Sequence, residues 1–221
     1  MNRPNVLLIY TDQQRWDTVA ALGNRLVGHV VDQVGRILKT LDDTGQRDNT
    51  LVVFTSDHGE LLGDRGRTGK GPAFDGSSRV PLVMRLPGVI EPGRVHTDIV
   101  EAVDIVPTIL ELCAVQVPPT MQGRSLVPYL AGRECSGRDS AFIEMKNPFG
   151  YAFKAVRMTD CLYVVDNNDN EQLYDLADNP GQVVDRSDAP TRRDMLNRAR
   201  CELIRRWFDV QAQTPRRTAP Y

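Results

Sequence analysis

No stretch of this sequence comes near the ~20 consecutive apolar residues that cross a bilayer, so no transmembrane helix is expected. The short apolar run Val6 to Tyr10 is followed at once by Thr11-Asp12, too short for the core of a signal peptide, and the simple reading is a cytoplasmic protein. Cysteines are few and scattered: Cys113, Cys135, Cys161 and Cys201 show no C-x-x-C spacing, so neither a zinc site nor a disulfide framework is indicated. The formal net charge of −2 gives no attraction to nucleic acid or to a membrane surface. The basic pairs Arg192-Arg193 and Arg216-Arg217 read as solvated surface. No internal repeat is present.

What remains is ordinary soluble texture, 41% hydrophobic and 25% charged, enough for one large domain or one domain with an appendage. Val6-Leu7-Leu8-Ile9-Tyr10 and Leu51-Val52-Val53-Phe54-Thr55 are continuous apolar runs, the pattern of strands buried in a parallel sheet. Between them Leu26, Val27, Val30, Val31, Val34, Ile37, Leu38 and Leu41 step by three and four along one helix stripe, with Gly45 as its stop. Strand, helix, strand predicts a βαβ unit. Val80 to Met84 reads as a third strand, its Pro81 marking an edge or a strand start. Asp104 to Leu112 reads as a short helix capped by Asp104. From about residue 140 short strand-like pieces alternate with turns: 141–145, 153–157, 161–165 and 172–176. A final helix is expected over 190–208, with Met195, Ala199, Leu203 and Trp207 on one face, and the tail after Val210 is expected to fray. The domains predicted are 1–138, an α/β part, and 139–221, a small antiparallel sheet with a terminal helix.

Two constellations carry candidate chemistry. Asp12 stands at the carboxyl end of the first apolar strand and Asp57-His58 at that of the second, where ligand sites form in open α/β sheets. Two carboxylates and an imidazole converging there suit a divalent metal; an aspartate after a strand also serves as a turn former, and spacing alone does not separate the two readings. The stretch Gly63 to Gly71 is a glycine-rich loop with Arg65, Arg67 and Lys70, suited to an anionic ester or to plain surface. It is no Walker A loop, since Asp64 and Gly71 occupy positions that motif reserves for Gly and Ser or Thr.

Longer text then matches a family. Asn5 to Asp12 with Gln13-Gln14-Arg15, Asp48 to Glu60, Gly69-Lys70, Arg79-Val80-Pro81-Leu82, Val103 to Thr108, Met121 to Leu126 and Leu173-Tyr174-Asp175-Leu176 resemble, in order, text of the sulfatases. The resemblance implies an α/β alkaline-phosphatase-like fold, a mostly parallel sheet with flanking helices plus a small C-terminal antiparallel α+β part. It implies hydrolysis of sulfuric esters, with phosphonate or phosphate esters as the alternative substrates. It implies Asp12, Asp57 and His58 as metal ligands, Gln13 as a weak, uncharged one, and Lys70 as the cation facing the sulfuryl group. The cofactor implied is one divalent ion, calcium or magnesium by family, with manganese or zinc admitted by His58. The partner implied is a small anionic ester; a homo-oligomer is possible.

The departures matter as much. Arg65 stands where many sulfatases have histidine. The nucleophile motif, Cys or Ser followed by x-Pro-x-Arg, is absent: Cys135-Ser136-Gly137-Arg138 lacks the proline and brings its arginine one position early. No nucleophile is therefore assigned and no formylglycine is expected. The family text jumps between Gly23 and Arg25, as an internal deletion would make it do. Impaired hydrolysis is expected, with a non-catalytic metal-binding or structural domain as the alternative.

Overall fold

The computed structural model describes residues 3–19, 29–133 and 136–211. It divides into two compact units, one of residues 1–96 with 129–133, the other of 97–128 with 134–221.

The first unit holds β1 (Asn5–Thr11), α1 (His29–Asp43), β2 (Thr50–Ser56), α2 (Asp75–Ser78) and β3 (Leu82–Arg85). The sheet order is β1-β2-β3. β1 and β2 run parallel, from Asn5 opposite Thr50 to Thr11 opposite Ser56. α1 supplies the long crossover that a parallel pair requires. The mostly parallel sheet expected from the family text is not what these strands form: β3 pairs antiparallel to β2. Between β2 and β3 the chain has loops, a short 3-10 turn at Asp64–Gly66 and the four-residue α2, with no long crossover helix to bring it back in the same sense. Pro81 precedes β3, which is an edge strand and loses no ladder bond to it.

β2 is buried along its whole length, and Leu51, Val53, Leu61, Ala73, Phe74 and Leu86 belong to the buried core of this unit. α1 closes at Gly45, whose φ of 67° only glycine adopts without strain; its N–H reaches the Asp42 carbonyl at 3.1 Å while Gln46 N–H reaches that of Leu41 at 2.9 Å. Of the predicted stripe, Leu26 and Val27 lie outside the described residues. Val30, Val31, Val34, Leu38 and Leu41 are half-buried, and Ile37 is exposed.

The second unit begins with α3 (Ile105–Leu112), and the short α4 (Val127–Leu130) stands where the chain passes from one unit to the other. An antiparallel meander follows, β4 (Ser140–Lys146), β5 (Ala152–Met158), β6 (Cys161–Asp166) and β7 (Glu171–Asp175), and then α5 (Arg193–Asp209). Val156, Met158, Cys161, Tyr163 and Leu173 of the sheet pack with Leu196, Ala199 and Leu203 of α5. The buried face of α5 is Leu196, Ala199, Leu203 and Arg206 rather than the predicted one ending in Trp207, which is 44% exposed.

Arg206 turns inward because it has partners there. Its guanidinium meets both carboxylate oxygens of Glu101, at 2.6 and 2.8 Å. Arg138 pairs with Glu101 at 3.1 Å and also with Asp104. These buried charges tie Glu101 and Asp104 to Arg138 and to Arg206 of α5 within the second unit. Asp104 also departs from its expected role. It makes no side-chain cap bond to α3; its carboxylate takes the Glu101 N–H at 2.9 Å and the Arg124 N–H at 2.7 Å. Among the described residues, no helix is long and apolar enough to cross a membrane.

Candidate metal centre

The parallel register sets Thr11 beside Ser56, so the residues that follow each strand emerge side by side. The two strand ends are tied together. Thr11 Oγ1 donates to the Thr55 carbonyl at 3.1 Å, and Ser56 Oγ donates to the Thr11 carbonyl at 2.9 Å. Gln13 takes a left-handed backbone, φ 61°, which turns the chain across the end of β2. Its N–H then donates to Asp57 Oδ1 at 2.9 Å, and the next N–H, of Gln14, donates to Ser56 Oγ at 2.9 Å.

The outcome is a cluster. Asp12, Asp57 and His58 each offer a ligand atom within 4.8 Å of the others. His58 Nε2 is 3.6 Å from Asp12 Oδ1 and 3.3 Å from Asp57 Oδ2. Asp57 Oδ1 also accepts the His58 N–H at 2.7 Å, so one oxygen holds the backbone and Oδ2 is left for a ligand. Burial raises the Asp57 pKa, but the Gln13 and His58 N–H groups, with the Lys70 charge nearby, hold it below the ordinary carboxylate value. His58 Nδ1 lies 2.8 Å from the Gly59 carbonyl. With the proton on Nδ1, donating to that carbonyl, the lone pair is on Nε2, facing the carboxylates, the arrangement usual for a metal-bound imidazole. Two anionic oxygens and one imidazole nitrogen suit a divalent ion.

The loop that follows is locked by contact. Gly59 donates its N–H to the Ser77 carbonyl at 2.7 Å, and a Cβ on it would stand 2.0 Å from the Gly76 carbonyl oxygen. No other residue fits there without moving the chain. Glu60 folds back to accept the Leu62 N–H at 3.2 Å, the Gly69 N–H and the Gln13 side-chain amide. The Gln13 amide mainly, with the Gly69 and Leu62 N–H groups, lowers the Glu60 pKa. The glycine-rich loop is thus closed on itself, with Leu61 N–H on the Gly69 carbonyl at 3.0 Å and Gly63 N–H on that of Arg67 at 2.9 Å. It brings the exposed Lys70 ammonium onto His58 Nε2. Arg65, in the same loop, stacks its guanidinium 3.6 Å from the centre of the Phe74 ring.

Asp12, Asp57, His58 and Lys70 therefore meet, whereas the Gln13 side chain is engaged by Glu60. Cys135 lies outside the described residues. Sequence reasoning missed Ser56, Gly59 and Glu60 as organisers of the site. The one available signal was their place within Ser56-Asp57-His58-Gly59-Glu60, because their partners stand far along the chain. Gln14 is 6% exposed, and both polar atoms of its side chain are buried without a hydrogen-bond partner.

A sulfatase family model matches residues 25–115. The choline-sulfatase of Rhizobium meliloti is 36% identical over 183 residues, 76% of this chain and 35% of that protein. The arylsulfatase of Clostridium perfringens is 29% identical over 184 residues, 81% of this chain and 38% of that protein. The solved phosphonate monoester hydrolase from Silicibacter pomeroyi superposes with a TM-score of 0.79 at 30% identity, covering 88% of this chain and 42% of that one. The chain thus spans less than half the length of these relatives.

Proposed function

Because the chain belongs to the sulfatase family, within the alkaline-phosphatase-like superfamily, we propose that it holds one divalent cation on Asp12, Asp57 and His58 and receives small anionic sulfuric esters there, with hydrolysis strongly impaired. The observation that carries this is the convergence of three ligand atoms within 4.8 Å at the ends of two parallel strands. An ion held there would polarise the ester oxygens.

The protein's own groups do the rest. Asp57, kept ionised by the Gln13 and His58 N–H groups, presents a fixed anionic oxygen. His58, its ring pinned by the Gly59 carbonyl, presents Nε2. Lys70, on a long flexible stem at the same place, can meet a sulfuryl oxygen and stabilise charge developing on it. Imidazole in the set favours manganese or zinc over calcium.

Impairment follows from the missing Cys/Ser-x-Pro-x-Arg motif, since covalent catalysis divides one hard displacement into two easier ones. An internal deletion at Gly23 to Arg25 accounts for that loss. In its support, the family match begins at Arg25, and most of this chain corresponds to well under half of each relative. Phosphonate or phosphate esters remain the second reading, favoured by the 30% identity to a phosphonate monoester hydrolase.

Calorimetric titration with Mn²⁺, paired with turnover of an aryl sulfate and of a phosphonate monoester, tests the reading. Metal binding that is lost in Asp57→Ala, with ester turnover at or near background, is expected. A wild-type chain that binds no divalent ion, or robust turnover persisting in Asp57→Ala, would overturn it.

A further inference from the structure

β1 is an edge strand with the composition of a central one. Among the described residues it pairs with β2 alone, so the opposite row of its backbone N–H and C=O groups faces no strand. Its residues, Asn-Val-Leu-Leu-Ile-Tyr-Thr, include no charge, no proline and no glycine. Natural edge strands are blunted with charges, proline, bulges or short length, because an open apolar edge is a template for another strand. None of those devices interrupts Asn5–Thr11.

The side chains show the same incompleteness. In the parallel register Val6, Leu8 and Tyr10 stand beside Leu51, Val53 and Thr55 and share their face of the sheet. On β2 those three are at most 1% exposed; on β1 their neighbours are 44%, 48% and 60% exposed. Among the described residues, what covers this face of β2 does not cover β1.

We propose that β1 pairs antiparallel with β1 of a second copy, across a two-fold axis normal to the sheet at Leu8. Such an axis requires that opposed residues lie on one face, and centring it on Leu8 is the register that pairs all seven residues. Val6 then opposes Tyr10, Leu7 opposes Ile9, Leu8 opposes Leu8, and the polar ends Asn5 and Thr11 oppose each other. Between those ends apolar meets apolar, the arrangement that stabilises cross-strand pairs, and no like charges meet. Beyond the strand, the exposed Arg3 of one copy, two residues before Asn5, comes near the carboxyl end of the other copy's β1, where Asp12, directly after Thr11, has a carboxylate that is 85% exposed and opposite in charge. The two sheets become one of six strands, β3-β2-β1-β1-β2-β3, and the uncovered Val6, Leu8 and Tyr10 of both copies form a single patch. This pairing stands whether or not the site binds metal.

Light scattering across a concentration series, run on wild type and on Leu8→Lys and Tyr10→Lys, reads the association directly. Both substituted side chains are substantially exposed in the protomer, and circular dichroism verifies that each variant is folded. The expected result is a wild-type dimer and, in Leu8→Lys, a dissociation constant at least tenfold higher, because the new charges face each other on the axis. Mild oxidation of Leu8→Cys should give a disulfide joining two residue-8 peptides by mass spectrometry, while Val89→Cys, equally exposed but away from the strand, should not crosslink. A wild type that is monomeric at every concentration, a dimer undiminished in Leu8→Lys, or crosslinking of Val89→Cys as fast as of Leu8→Cys would each overturn the pairing.

Discussion

His58 and Asp57 are neighbours in the chain, yet His58 Nε2 lies 3.3 Å from Asp57 Oδ2. Adjacent residues leaving a strand ordinarily point apart. Here Asp57 Oδ1 accepts the His58 N–H at 2.7 Å and the Gln13 N–H at 2.9 Å, which folds the aspartate back over its own backbone and turns Oδ2 toward the ring. Asp57→Asn retains most of that shape but removes the charge from the oxygen facing His58. Its affinity for Mn²⁺ should therefore fall by at least the roughly 10- to 100-fold that loss of an outer partner of a metal site costs. Titration calorimetry of the two proteins at one pH measures the ratio, and equal affinities would place the ion elsewhere.

Cys161 should be chemically silent in the folded protein. It is 0% exposed at the start of β6, and burial, with the neighbouring Asp160 charge adding to it, pushes its pKa from an ordinary 9.0 up to about 12. The thiolate is the reactive form, so alkylation at neutral pH should mark the exposed Cys201 and spare Cys161 until denaturant is added. Because the folded pKa is the higher one, the unfolded chain loses this proton first as pH rises. The contribution to stability is complete below pH 9.0 and is lost on the way to about 12. Peptide mapping after timed iodoacetamide treatment tests the reactivity. Rapid native labelling of Cys161 would contradict it.

Charges on this protein differ greatly in what they hold together. Glu101 is 10% exposed and faces two guanidiniums that are themselves 7% and 4% exposed, those of Arg138 and Arg206. Glu101→Gln keeps the volume and leaves both cations buried without their shared anion, so a loss of about 3–5 kcal/mol is expected. Glu144 pairs with Lys154 at 2.7 Å, but its side chain is 60% exposed, and Glu144→Gln should change stability by less than about 1 kcal/mol. Urea midpoints at constant slope separate the two variants; comparable shifts would show that burial is not what decides here.

The legible parts of the molecule were those whose causes are local. The apolar runs at 6–10 and 51–55 announce strands, but only the second is buried as a parallel-sheet strand should be: β2 is buried throughout, whereas Val6, Leu8 and Tyr10 of β1 are 44%, 48% and 60% exposed. Gly45 announces a helix end because of its left-handed φ. The antiparallel sense of β3 was not legible, since it depends on how the chain between 57 and 81 folds over α2 and not on any residue of the strand. The inward face of α5 was misjudged by one position for a related reason. Arg206 reads as surface until Glu101, over a hundred residues away in sequence, is known to meet it. At the site, the strand-end positions of Asp12, Asp57 and His58 were legible, while the roles of Ser56, Gly59 and Glu60 depend on Thr11, Gly76 and Gly69, which only folding brings near.

Glu60 supplies the last prediction. Its carboxylate accepts the Gly69 N–H from the lysine loop and the Gln13 side-chain amide from the loop after β1, so one anion joins the two segments that flank the site. Its bonds rather than its burial depress the pKa, Gln13 contributing most. A depressed folded pKa gives a contribution that is present above the unfolded value of 4.5 and is lost as pH falls through the folded one. Glu60→Gln brings the change to neutral pH. In the wild type Oε2 accepts from the Gln13 amide and Oε1 from the Gly69 N–H; in the glutamine one of these positions becomes a donating NH2, so the Gln13 amide or the Gly69 N–H loses its acceptor. Hydrogen exchange at Gly69 should therefore be slow in wild type, faster in Glu60→Gln at neutral pH, and faster in wild type itself only as the pH falls below 4.5 and through the depressed folded value, after correction for the intrinsic pH dependence of exchange. Exchange at the Gln46 amide, held by the Leu41 carbonyl at the end of α1, should be the same in both proteins and serves as the internal reference. Unchanged exchange at Gly69 in the variant would mean that the Leu61 N–H on the Gly69 carbonyl, not the Glu60 carboxylate, holds the lysine loop in place.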